Sequence, residues 1–577
     1  MKTRKIFISI TAIVLLLSVI LLVGCNSDKN SGSSTGAQEI IVPDSSTMFT
    51  DKDKDADYSD SDITANITVS GSKISSDSTA VSVSNGKATI SKTGYYVIGG
   101  SGKNVSIIVD CTLELQKIHL VLKDLTITNS SFAPIYVKNA EKTFVMLEGN
   151  NTLGVTGDFE QIDENNVDGV IFAKDNVTIQ GDGSLTINSS KHGIVNKDDL
   201  KITGGTINVT ASSDGLQAND SVRIADATVT VNAQKDGVHI ENTVDTAKGY
   251  FYLESGTLNI TSAHDGIDVS STVQITGGTL TVKAGGGNDG YFAKELSTKG
   301  IKAVSDILIK GGTITVDSSD DAVHSNDSIE IDGGNLDLTS GDDGIHADKY
   351  LLIKGGTIKI NESYEGLEAQ NIEIEGGNIS IRATDDGINS AGGDGSSING
   401  RPGQNNFNSS VNSSITIKGG NIYVNAYGDG VDSNGNITIT GGVTVVEGPV
   451  SNGDGALDYD GKATISGGTF VAIGSNGMAM NFSTAEQGSI LVSCNSQSIG
   501  ADITLKDSNG NEIFSMTSTK KFSSVLISVP ELEKGKTYSL SAGTYSKDVT
   551  LTDFIYGAGS SMPGGGGGRP GGGGFRP

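Results

Sequence analysis

The clearest order in the chain is an alternation of apolar and polar positions that restarts about every 22 residues. Across one stretch it reads Asp-Ala-Val-His-Ser-Asn (321–326), Asp-Gly-Ile-His-Ala-Asp (343–348), Glu-Gly-Leu-Glu-Ala-Gln (365–370) and Asp-Gly-Ile-Asn (386–389), with lead carboxylates 22, 22 and 21 residues apart. Each of the first three is followed by an alternating segment, a Gly-Gly pair (333/334, 355/356, 376/377) and a second alternating segment such as Thr-Ile-Lys-Ile at 357–360. A period of two means strands with one face turned inward. Three short strands and three turns fill 22 residues, so the predicted fold class is all-β, a parallel β-helix with one repeat per turn. The leucine-rich signature and the period-nine calcium roll are both absent.

The series of lead positions runs Asp168, His192, Asp214, Asp236, Asp265, Lys299, Asp321, Asp343, Glu365, Asp386, Asp429, Asp454, Asn476. Longer steps carry extra residues around 243–249, 285–296 and 391–413, and such insertions map to one face of a repeat stack. The repeat body is expected over 61–480, with irregular coils near 63–153 closing its first end. Residues 481–556 alternate in longer strands with an Asn509-Gly510 hairpin signal, predicting a small C-terminal β cap. The Gly/Pro-rich stretch 557–577 is expected to be a disordered tail.

The other end bears on location. Lys2, Arg4 and Lys5 precede an apolar run over 6–23 that ends in Leu22-Val23-Gly24-Cys25, which resembles a bacterial lipoprotein signal peptide (1–24). Cys25 is then the lipidation site, the only membrane contact is that anchor, and the protein sits on the extracellular face of the cell membrane; a plain transmembrane anchor is the alternative. Residues 25–60 are Ser/Asp-rich and are expected to be a disordered acidic linker. Asp51, Asp53, Asp55, Asp57 and Asp62 within it mimic a calcium loop, but Ala56 replaces its turn glycine and Asp62 its final glutamate. Cys111 and Cys494 are expected to be buried free thiols rather than a bridge.

Net charge is -27 and no basic cluster tracks phosphates, which excludes nucleic acid as a partner and favours metal cations. In a parallel stack the lead positions lie about 4.8 Å apart, where two carboxylates repel by roughly 3.5 kcal/mol at an effective dielectric of 20. Three residues on, a second outward column holds Gln217, His239, Asp268, Lys302, His324, His346, Glu368, Asn389 and Asp432. Clustered oxygens suit calcium, and the candidate ligands are Asp265, Asp268, Asp320, Asp321, Asp342, Asp343, Glu365, Asp385, Asp386, Asp429 and Asp432. The competing reading is turn chemistry, with Asp bonding its own backbone while Gly takes a positive φ. Lys299 and Lys302 break the acidic columns, as a lyase base or as built-in neutralisers of Asp268 and Asp321. For sugar contact the candidates are Tyr250, Tyr364 and Tyr427, aromatic rings near turns in a chain with no Trp.

The 343–360 unit Asp-Gly-Ile-His-Ala-Asp-x-x-Leu-Leu-Ile-Lys-Gly-Gly-Thr-Ile-Lys-Ile, with Thr93-Gly94-Tyr95-Tyr96 and Asn-Val-Thr-Ile-Gln-Gly-Asp-Gly-Ser-Leu-Thr-Ile at 176–187, resembles the secreted clostridial carbohydrate-binding β-helix proteins. That resemblance implies a right-handed parallel β-helix, calcium held by Asp residues of the repeats, and binding of cellulose-like or polygalacturonate polysaccharide without turnover. The alternatives are a calcium-dependent pectate-type lyase on the same fold and a surface adhesin or scaffold with structural calcium only. Lys299, Lys302 and Ala322 depart from the repeat, which bears on any site spanning them.

Overall fold

A computed structural model of the protein describes residues 40–112, 117–290, 296–391 and 413–557. Cys25 and the segment before it, the first part of the acidic linker, the 392–412 insertion and the tail from 558 lie outside the described residues. Among the described residues there is no α-helix; one long, mostly parallel sheet dominates, with a separate four-stranded antiparallel sheet near the C-terminus.

The 22-residue period is the spacing between strands that pair. Thr313–Ser318 pairs in parallel with Asn335–Ser340, which pairs with Thr357–Ser363, which pairs with Asn378–Ala383. The register lines up Val316, Leu338, Ile360 and Ile381, all at most 1% exposed. Burying each such side chain contributes about 1.5–3 kcal/mol, and a one-residue slip would turn the whole set outward. Two further sets of short strands repeat the scheme, for example Val323–Ser325 with Ile345–Ile353, and Ile307–Ile309 with Ser328–Ile331. The second glycine of each pair makes the turn: Gly334, Gly356 and Gly377 have φ of 97°, 92° and 97°, where a Cβ is strained.

Hairpins stand at the first end, with Ile63–Gly71 antiparallel to Lys73–Ser76 and parallel to Gly94–Lys103. At the other end Thr469–Gly474 takes an antiparallel partner, Phe522–Ser528, and the parallel order stops. Asp502–Asp507 and Glu512–Thr517 form the hairpin around Asn509-Gly510, beside Thr537–Ala542 and Tyr545–Thr550. Cys111 and Cys494 are both buried and free.

The expectation of a disordered linker is corrected over its described part. Residues 44–62 form three short 3-10 turns lying against the outer face of the sheet. Met48 is 1% exposed, packs on Tyr250 and Tyr252, and its carbonyl accepts from Arg223 Nη1 at 2.9 Å. Asp53 is fully buried, ion-paired to Lys142 and, at 3.1 Å, to Lys201, and it accepts from Thr178 Oγ1 at 2.8 Å. Lys54 pairs with Glu254, 200 residues on. The calcium-loop likeness dissolves for the same reason, since Asp53 faces lysines, Asp55 pairs with Lys52, and Asp62 accepts from Ser59 within its own turn. Composition hid this strap because its anchors are few and their partners lie far along the chain. The outward positions under it, Thr178, Lys201, Arg223 and Tyr252, share one register and form a cationic and aromatic strip.

Candidate functional site

The two predicted columns stand side by side. One ladder places Gln217, His239, Asp268, Lys302, His324, His346, Glu368, Asn389, Asp432 and then Asp458 on neighbouring strands. The lead residues run along its edge, where backbone bonds step from one repeat to the next: Ala322 N–H donates to Asp343 O, Gly344 to Glu365 O, Gly366 to Asp386 O and Gly387 to Asp429 O.

The lead carboxylates do not make the local turn bonds that Asp-Gly chemistry predicts. One oxygen reaches forward to the next repeat: Asp321 Oδ1 accepts from Asp343 N at 3.0 Å, Asp343 Oδ1 from Glu365 N at 3.2 Å, and Asp386 Oδ1 from Asp429 N at 2.6 Å. Each of these aspartates is therefore a clip between successive repeats. The glycine that follows is not at positive φ either; it is there for close approach. A Cβ on Gly344 would lie 2.7 Å from Gly366 O and 2.7 Å from Ile360 Cδ1, and one on Gly387 would lie 2.2 Å from Val424 Cγ1.

The second oxygen of Asp265, Asp321 and Asp343 faces the neighbouring column, and there the site divides. In the earlier repeats the chain supplies its own cations. Lys299 Nζ lies 2.9 Å from Asp320 and 2.7 Å from Asp321, and Lys302 Nζ lies 3.1 Å from Asp268 and 3.5 Å from Asp265. His324 Nδ1 is 2.8 Å from Asp321, and His346 Nδ1 is 3.0 Å from Asp343 and 3.1 Å from Glu368. His239, between Asp236 at 3.4 Å and Asp268 at 3.3 Å, is pushed up to about 10 by those carboxylates. Asp321 is held well below the usual carboxylate range by Lys299 and the histidines in spite of its burial. Lys299 is raised despite its burial, because two carboxylates grip its ammonium. Three of these sets, Asp321/His324/His346, Asp236/His239/Asp268 and Asp343/His346/Glu368, bring three donor atoms close enough to share one ion, but their histidines fit calcium poorly.

In the later repeats no such cation is present among the described residues. Among the described residues Asp386, Asp429 and Asp432 have no ion pair, and burial followed by neighbouring carboxylates pushes each up to about 8. Gly428 packs against this cluster, since a Cβ there would lie 2.4 Å from an oxygen of Asp385 and 2.4 Å from one of Asp386. Asp342 is likewise raised to about 9, by burial and then by Asp343, and Glu365 is raised while accepting from Asn389 Nδ2 at 2.8 Å. Of the eleven carboxylates proposed as ligands, Asp265, Asp268, Asp320, Asp321 and Asp343 thus already face a lysine or histidine. Asp342 also feels the Lys299 ammonium, Glu365 is met by Asn389 and Asp385 by the Tyr364 hydroxyl, whereas Asp386, Asp429 and Asp432 face no lysine or histidine among the described residues.

The three tyrosines separate as well. Tyr250 is 8% exposed beneath Met48 with the Arg223 guanidinium 5.2 Å from its ring, so the strap closes the face a sugar would need. Tyr364 is half-buried with its hydroxyl toward Asp385. Tyr427 is 51% exposed. Sequence reasoning missed a second acidic group, Asp198, Asp199 and Asp220, tied to Arg223 and Lys248. The adjacent Asp198-Asp199 pair is its only trace in the sequence.

A model of the carbohydrate-binding domain-containing proteins matches residues 84–344 and 340–387. A carbohydrate-binding domain-containing protein of Acetivibrio thermocellus is 42% identical over 231 residues, which are 39% of this chain and 80% of the relative. A solved polysaccharide lyase-like protein from C. thermocellum, studied as a gadolinium derivative, is 29% identical; the match covers 50% of this chain and 97% of that one, with a TM-score of 0.36.

Proposed function

This chain belongs to the family of carbohydrate-binding domain-containing proteins, and from that premise we propose that it binds cellulose-like or polygalacturonate polysaccharide without turning it over. In this reading the ladders wind as a right-handed parallel β-helix, and lipidated Cys25 holds the protein on the extracellular face of the membrane. Calcium occupies the later repeats around Asp386, Asp429 and Asp432. The observation that carries the calcium assignment is the division of the column. Where lysines and histidines answer the carboxylates, a divalent cation would have to displace them; where none does, the repulsion between stacked carboxylates is left to an external cation.

The lyase alternative asks a lysine to lose its proton near neutral pH. Lys299 and Lys302 are both raised by the carboxylates around them, which opposes that role. The test is pull-down on cellulose and on polygalacturonate with and without chelator, following the ultraviolet absorbance of unsaturated products in the same tubes. Retention without new absorbance is expected. No retention on either polymer would refute binding, and growing absorbance would install the lyase.

A further inference from the structure

The outward face of the sheet changes character late in the chain. Along Thr313–Ser318, Asn335–Ser340, Thr357–Ser363 and Asn378–Ala383 the outward positions are Thr, Asp, Asn, Glu, Lys, Ser or Arg. On Asn421–Ala426 and Val443–Glu447 they are Asn421, Tyr423, Asn425, Val443 and Val445, with Tyr423 beside Val445 and Asn421 beside Val443. The C-terminal antiparallel sheet stands over this patch and leaves a groove of about 440 Å³, lined also by Met516 and Thr517. Val443 remains 41% exposed within it.

The groove is held in shape. Glu447, 1% exposed, accepts from Thr519 N at 3.0 Å, and the Tyr423 hydroxyl lies 3.4 Å from Thr519 Oγ1. Lys520, 8% exposed, donates to the carbonyls of Ala426 and Glu447, with its ammonium 4.4 Å from the Tyr427 ring centre. Both charged groups at the groove are thereby committed to the protein. The described residues that line the groove include a buried carboxylate and no cation, on a chain of net charge -27. A neutral sugar strips water from no charge here, sets its C–H face on Tyr423, and finds Asn421 and Thr517 for its hydroxyls.

We propose that this groove between the parallel sheet and the C-terminal sheet binds a segment of neutral hexose polysaccharide, with Tyr423 as the stacking platform and Tyr427 extending the path. The assignment rests on the polysaccharide-binding reading and adds to it a place and a ligand class, distinct from the acidic column.

The test is affinity electrophoresis of the full chain in gels containing hydroxyethyl cellulose or polygalacturonate. Tyr423→Ala should weaken retardation by the neutral glucan about tenfold, as removal of an aromatic anchor does, and leave polygalacturonate unchanged. Tyr423→Phe should bind as the parent does. Val443→Glu, at an exposed position, should also weaken neutral glucan while melting with the parent. If the parent binds neutral glucan and neither Tyr423→Ala nor Val443→Glu weakens it, the groove assignment fails while polysaccharide binding stands. A parent that binds only polygalacturonate overturns the assignment, and one that binds neither polymer overturns both. Light scattering that shows a parent dimer split by Val443→Glu would give the groove to a second copy instead.

Discussion

Asp429→Asn tests the division of the acidic column most directly. The Asp429 side chain accepts from Gly455 N–H through Oδ1, and an asparagine oxygen in the same place keeps that bond while removing the charge. With its pKa pushed to about 8, Asp429 carries a proton at pH 7 that the unfolded chain has released, which costs about 4 kcal/mol per group. Asp386 and Asp432 share the same repulsion, so the substitution relieves part of their cost too. In chelator, therefore, Asp429→Asn should melt higher than the parent at pH 7. The folded carboxyls hold protons more tightly than the unfolded ones, so parent stability in chelator should fall as pH rises from about 4 to about 8, and the variant should fall less. Calcium narrows the gap: at a hundredfold excess over its Kd a single site contributes about 2.7 kcal/mol to the parent, and little to the variant. The assay is circular-dichroism melting of both chains across that pH range in chelator and in calcium, with titration calorimetry for the binding. A variant that melts lower than the parent in chelator, or calcium that stabilises both equally, would refute the reasoning.

Asp53→Ala should leave Lys201 buried without its carboxylate and free the strap at a cost of about 3–5 kcal/mol, read as faster hydrogen exchange over residues 44–62. Because Asp53 is held below its ordinary pKa by Lys142, by the Thr50 backbone N–H and by Lys201 against the pull of burial, its contribution is present above about pH 4 and is lost only on strong acidification. His239 should keep its proton to about pH 10 in an NMR titration. Its stabilising effect is complete below about 6.5 and fades as pH rises through 10, and His239→Gln should abolish that dependence. Gly387→Ala drives a methyl into Val424 and should destabilise by about 1–3 kcal/mol in urea unfolding.

The strands and their register were legible because the chain repeats one solution many times. Val316, Leu338, Ile360 and Ile381 share a position in the period and share one in space. The second column was legible for the same reason, from Gln217 to Asp432. What the lead carboxylates do was not, because their partners are backbone N–H groups one repeat away, and local Asp-Gly chemistry gave a plausible wrong answer. Tyr250 was misjudged since nothing near position 250 announces Met48. Tyr423 passed unremarked because an apolar residue on an outward position looks like packing until the C-terminal sheet is seen to leave a gap above it.

The strap also sets the order of assembly. A stack of repeats interacts mainly between neighbours, so it can grow and fray one unit at a time. Residues 48–54 contact positions 142, 178, 201, 223, 250 and 254 together, and so tie several repeats into one unit that opens as a whole. Docking must wait until the last of those partners has been made, although the strap itself is synthesised long before them. The strap thus settles only after a partner 200 residues further along has been made, and a contact of that sequence separation has to be closed at that step. Refolding from denaturant should accordingly show the repeats gaining strand signal before residues 44–62 gain protection.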